Sequence, residues 1–344
     1  MMRRKAFTLS ELLVAMGLMV ALLAGAGVVF RSAVQSQRTS IALSELMRKF
    51  RGITDQLDSD FRGLRKDGEI AIFWSASTDG SERFDRLMFF ADGDFQTYNE
   101  QPMTPGPPLK RIAGNLARVC YMLAKDGSGV YPQNQIKAER ILSRTQHILT
   151  GDASFDALPL LGSLFNASLF RTHNFANEYD SSYGDLLSWK NIDITDKYDM
   201  LSIITGIRIS TSAIVDGGAM VDYGKSSDMH MFLGEGVSQF KVQSWYDADG
   251  RWFPEVDRNG DGDFTDGDFF LAGSLIDTAN IPGVIYPGNV IWNDPVNSPV
   301  AVDETNFLTA PGLGRALKFT FTLYDSRGIY PDGKTFTHIV WLGN

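Results

Sequence analysis

The sequence has one cysteine, Cys120, and four scattered histidines, His147, His173, His230 and His338, in 344 residues. A single cysteine excludes an intramolecular disulfide, and no Cys/His zinc spacing is present. Cys120 lies in the apolar run 117–124 and reads as a small buried hydrophobe. There is no HExxH pair and no Gly-x-Ser-x-Gly elbow, so no hydrolytic constellation is visible. Basic residues are also few: 32 Lys and Arg stand against 41 Asp and Glu, for a net charge of −9. No basic stripe follows residue 70. Such a chain repels phosphate backbones, which argues against nucleic acid as a partner.

Hydrophobic residues make up 44% of the chain and charged residues 21%, the range of a globular protein. The 33 glycines, 13 prolines and 23 phenylalanines favour many short strands and turns over a helical bundle.

The strongest signal is N-terminal. Arg3, Arg4 and Lys5 precede an apolar stretch over residues 7–30. As a helix this stretch would span roughly 36 Å, enough to cross a hydrocarbon core of about 30 Å. The basic residues ahead of it predict a cytoplasmic N-terminus and an exported remainder. A secretory signal peptide competes, with Ala24-Gly25-Ala26 as a cleavage site. Against it, the apolar run continues through Val28, Val29 and Phe30, and it contains Glu11. A carboxylate so placed is costly and is usually kept for a function with a named partner.

The order Lys5-Ala6, then Phe7-Thr8-Leu9-Ser10-Glu11, then an unbroken apolar helix resembles the signal of type IV prepilins and pseudopilins. The resemblance implies cleavage between Ala6 and Phe7 by a prepilin peptidase, which also methylates the new amine of Phe7. Loss of the three basic leader residues would take the net charge to −12. Glu11 is implied to pair with the N-terminal amine of a neighbouring subunit during assembly. The family prefers Gly before the cut, where this chain has Ala6.

Helical spacing continues through Leu43, Leu46, Phe50, Ile53, Leu57, Phe61 and Leu64. Ser44, Glu45, Arg48, Lys49, Arg51, Asp55, Asp58 and Arg62 fill the opposite, polar face. One helix from 7 to 65 is therefore expected, with its second half packed on a head. From Gly68 the pattern turns strand-like, with candidate strands at 69–75, 86–91, 116–124, 140–149, 237–246, 316–324 and 336–342. The segments 154–166 and 199–211 fit helix or strand equally. The expected fold class is α+β: a transmembrane and stalk helix, then a β-rich head of antiparallel sheets, pilin-like. The expected divisions are a leader at 1–6, a membrane helix at 7–30, its continuation at 31–65, and a periplasmic head at 66–344. Segments at about 150–230 and 255–313 read as insertions.

In the head, Gly236-Val-Ser-Gln-Phe-Lys-Val-Gln-Ser-Trp-Tyr-Asp247 followed by Asp249-Gly-Arg-Trp252 is similar to a phrase in J-type minor pseudopilins and W-type minor pilins. That resemblance implies a subunit at or near the tip of a type II secretion pseudopilus or type IV pilus. Its implied partners are other pilins or pseudopilins and an inner-membrane assembly platform. Alternatives are an adhesin-like minor pilin and a membrane-anchored, calcium-binding periplasmic hydrolase.

The segment 257–268 follows the EF-hand loop pattern. Asp257, Asn259 and Asp261 stand at loop positions 1, 3 and 5, with Gly262 at 6. Asp263 offers its carbonyl at 7, Thr265 stands at 9, and Asp268 replaces the usual Glu at 12. Five aspartates in the loop face one arginine, so a structural calcium ion is expected to hold them together.

Overall fold

The computed structural model describes residues 8–65, 68, 70–73, 82–102, 109–150, 178–180, 185–191, 218–246, 251–253, 283–286, 290–292 and 315–342. Helix α1 runs Leu9–Arg62, 54 residues, a rod about 81 Å long. Thr8 caps its start: its side chain accepts from the Glu11 N–H, while Glu11 reaches back to the Thr8 N–H. This capping box satisfies two donors that a helix start leaves open. Gly63 ends the helix, its N–H donating to the carbonyls of Asp60 and Phe61. A side chain here is excluded by the neighbouring strand, since a Cβ on Gly63 would lie 1.9 Å from the Asp92 carbonyl oxygen.

The head strands follow. In the first half they are β1 (Ile70–Phe73), β2 (Arg86–Gln96), β3 (Gln101–Pro102), β4 (Leu109–Lys110), β5 (Ala113–Leu123), β6 (Lys125–Asp126) and β7 (Ile141–Leu149). Next come β8 (Tyr179–Asp180), the short helix α2 (Leu186–Lys190) and β9 (Met220–Val221). The rest are β10 (Phe232–Glu235), β11 (Val237–Tyr246), β12 (Arg251–Phe253), β13 (Gly283–Tyr286), β14 (Val290–Trp292), β15 (Ala316–Leu323) and β16 (Lys334–Trp341). A large sheet takes the order β10-β7-β5-β2-β1-β13-β14, with β8 beside β7. A second sheet takes the order β12-β11-β15-β16 and is antiparallel throughout. The layout is α+β, a long apolar-started helix followed by antiparallel sheets.

The alternation Leu317, Phe319, Phe321, Leu323 puts four fully buried side chains on the inner face of β15. They share one core with α1 and the large sheet, and Phe61 joins the layers, 4.4 Å from Phe89 and 5.7 Å from Phe319. The outer face of the large sheet carries Met88, Phe90, Cys120 and Met122 beneath Trp189 of α2. With both faces covered, β2 and β5 show buried runs instead of strict alternation. Cys120 is buried there as expected, and burial pushes its thiol up to about 12.

Most predicted strands appear within a few residues. Three differences have physical causes. Leu43 was expected in the buried stripe but is 37% exposed, and Ala42 takes its place, because the head meets the helix one position earlier around the turn. β2 extends to Gln96 through polar residues because β5 continues to pair with it past a register shift. Strands β10, β13 and β14 have no alternating pattern long enough to mark them, and all are short. The undecided segments 154–166 and 199–211 lie outside the described residues.

Candidate functional site

The two halves of α1 face different surroundings. From Leu9 to Phe30 the large apolar side chains stand exposed, Val34 is half-buried, and the first buried residue is Ala42. An 18-residue window of the helix reaches a mean hydropathy of 2.5, and none of it is buried. This half is long and apolar enough to cross a membrane. Between it and the head lies a polar stretch, residues 31–40, where Thr39 and Ser40 donate to the carbonyls of Gln35 and Ser36. Such back-bonds to the preceding turn tend to bend helices.

Glu11 sits in the first turn of this bare half. Its Oε2 accepts from the Thr8 N–H at 2.9 Å and from the Thr8 hydroxyl at 3.0 Å. Oε1 has no partner among the described residues. The capping box therefore turns this carboxylate back toward the start of the helix. Ala6 and Phe7 lie outside the described residues, as do Asp257, Asn259, Asp261, Asp263, Thr265 and Asp268.

The second half of α1 is fastened to the head by polar contacts as well as by the apolar stripe. Glu45 accepts from the N–H and hydroxyl of Ser326 at 3.0 and 2.9 Å, and Lys49 donates to the Tyr324 carbonyl at 2.9 Å. Burial works to raise the Glu45 carboxyl, but Ser326 and Lys49 outweigh it and hold the group below its usual value. Asp58 meets His338 Nε2 at 2.8 Å. Asp60 is buried and accepts from Arg144 Nε and Nη2 at 2.6 and 2.8 Å, from Gln56 at 3.0 Å, and from the Tyr121 hydroxyl. Burial, then the Asp60 charge, pushes the Tyr121 phenol well above its ordinary value, so it stays a donor. Burial works to lower the Arg144 guanidinium, but its bonds to Asp60 raise it.

Glu45, Lys49 and Asp58, which the sequence places on the polar face, thus reach the head as well. The periodicity does hold one sign of Asp60: it falls between Leu57 and Phe61 on the buried side, where an unpaired carboxylate would be intolerable.

The remaining titratable groups do not converge. His147 is buried on β7, and burial, then Arg118 and His230, holds its imidazole well below its ordinary value. His230 approaches the Ser227 carbonyl, and His338 is engaged with Asp58. His173 lies outside the described residues. No group of three metal-ligating side chains occurs among the described residues. A cleft of about 580 Å³ opens where α1 meets the turn after β15. Of its polar groups, Lys49 holds the Tyr324 carbonyl and Asp325 accepts from the N–H groups of Arg327, Ile329 and Tyr330. Compared with known protein families, curated proteins and solved structures, the chain matches none.

Proposed function

We propose that this chain is a minor pilin or pseudopilin, a filament subunit anchored in a bacterial inner membrane with its head in the periplasm. One observation carries the reading: a single helix whose first half is apolar and bare, whose second half is bolted to a β head, and whose first turn holds a carboxylate. An exposed apolar helix must be covered. Lipid covers it before assembly, and the helices of neighbouring subunits cover it afterwards.

Glu11 fits the same account. Inside an apolar assembly its carboxylate needs a cation. The capping box starts the helix at Thr8, so cleavage after Ala6 would set a Phe7 amine one residue before the cap. An amine there is disfavoured by the helix dipole, and a carboxylate from the next subunit relieves it. Prepilin peptidase and an inner-membrane assembly platform are the partners this role requires. A bulky head relative to one helix suits a position at or near the tip. The role is structural: Lys49, which lines the cleft, is engaged in fastening the helix.

The test is direct. Mass spectrometry of the membrane form should give a chain that begins at Phe7 with a methylated amine. Glu11→Val should still insert, since the helix becomes more apolar. Its incorporation into filaments or its co-purification with partner subunits should fall sharply. A soluble form beginning near Gly27 would establish an ordinary signal peptide and end this reading.

A further inference from the structure

Among the described residues the two sheets end in five outer strands, and four of these are protected by being short: β8 has two residues. β12 and β14 have three residues each, and β10 has four with a register shift against β7. β16 is the exception. Its eight residues pair with β15 in unbroken register, without a proline or bulge. Natural edges are usually blunted by charge, proline, bulges or brevity.

The hydrogen-bond phase says which backbone groups are open. Leu342 donates to the Arg315 carbonyl at 2.9 Å, so that facing pair is a hydrogen-bonded one. Facing pairs alternate along an antiparallel ladder. Val340, His338, Phe336 and Lys334 therefore spend their backbone groups on β15. Thr335, Thr337, Ile339 and Trp341 turn theirs to the outer edge, which no other strand joins among the described residues. The side chains of these same four residues are exposed, with Ile339 at 40% and Trp341 at 71%, and none is charged. The two basic residues of the strand are occupied elsewhere: Lys334 lies over the Tyr330 ring, and His338 is held by Asp58.

We propose that β16 is a strand-addition site that takes an extended segment of a second protein. The segment pairs with the backbone of Thr335, Thr337, Ile339 and Trp341, and it carries uncharged β-branched or aromatic side chains beside Ile339 and Trp341. Unpaired N–H and C=O groups in a row fit nothing so well as another strand. A second copy joined by a two-fold axis is disfavoured by the anchor. Phe50 stacks on Phe336 and Asp58 bonds His338, so β16 climbs in the same sense as α1. A two-fold mate paired antiparallel through β16 would reverse that component in its own α1. The two helices would then diverge instead of entering one bilayer side by side. This exclusion rests on the anchored reading above; the open edge does not.

The experiment replaces Trp341 in the full chain with the photo-crosslinker p-benzoylphenylalanine, in the membrane of its own host. Adducts mapped by mass spectrometry should fall on one short, alternating, uncharged segment of one other protein. Thr337→Pro removes an N–H that β15 does not use, so the sheet should survive while adduct yield falls at least about ten-fold, the effect of one lost hydrogen bond. Thr337→Ala should leave the yield unchanged. Ile339→Lys provides a second block that also spares the β15 ladder, should the proline variant fold poorly. Adducts to another copy of this chain, to lipid or to scattered sites overturn the proposal, as do no adducts or adducts that survive both blocking variants. Loss of the adduct with normal processing at Phe7 refutes the edge site alone. Intact edge adducts on a chain that starts near Gly27 refute the filament reading alone.

Discussion

Asp60 is the polar centre of the joint between helix and head. Two Arg144 nitrogens, the Tyr121 hydroxyl and Gln56 all converge on its two oxygens, with 4% of the Asp60 side chain exposed. A buried pair of this kind contributes modestly when whole, because desolvation offsets most of the attraction. Broken from one side, it leaves an uncompensated charge. Asp60→Ala strands the Arg144 guanidinium, which is itself 14% exposed, and should cost about 3 kcal/mol or more. Tyr121→Phe removes one donor of several and should cost about 1 kcal/mol. Denaturant titration of the detergent-solubilised chain, read by tryptophan fluorescence, measures both, with buried Trp189 as one reporter. Equal costs for the two variants would mean that the network is not centred on Asp60.

At the scale of elements, α1 ends where it does because β2 needs the space. Gly63 donates to the last turn, its carbonyl accepts from the Asp92 N–H at 2.7 Å, and a Cβ there would strike the Asp92 oxygen. Gly63→Ala must push β2 off the helix end, at a cost of about 1–3 kcal/mol. Gly52 has nothing within 4 Å of its would-be Cβ and lies inside the helix, so Gly52→Ala should stabilise by up to about 1 kcal/mol. Opposite shifts of the denaturation midpoint would bear this out. The same pair shows what sequence can and cannot tell. Helix extent was legible because the 3.6-residue period and the capping residues are local. So were β11, β15 and β16, whose partners lie one turn away or share the alternation. The need for glycine at 63 is not legible, since its partner Asp92 comes from another strand. β13 and β14 stayed hidden because short strands added to a sheet edge take their pattern from distant neighbours. The cap at Thr8 and Glu11 could be read as a signal but not as a geometry.

At the scale of the whole molecule, the chain crosses between the two sheets through residues 254–282, which leave β12 in the small sheet and enter β13 beside β1 in the large one. The proposed calcium ligands Asp257, Asn259, Asp261 and Asp268 all stand in this crossing. An ion bound in the crossing would restrict the route into β13, so its effect should reach the large sheet as well as the loop. Binding to the native state stabilises by RT ln(1 + [L]/Kd), about 2.7 kcal/mol at a hundred times Kd. For a head this large the melting temperature should rise by only a few degrees. Calcium should also slow amide exchange in residues 283–286 and 70–73, because β13 pairs with β1 over that span. Asp257→Ala or Asp261→Ala should remove both effects, whereas Asp266→Ala, outside the ligand positions, should remove neither. If the chain melts alike in calcium and in chelator, with exchange in β1 and β13 unchanged, the aspartates form an acidic turn and the two sheets are joined without a metal.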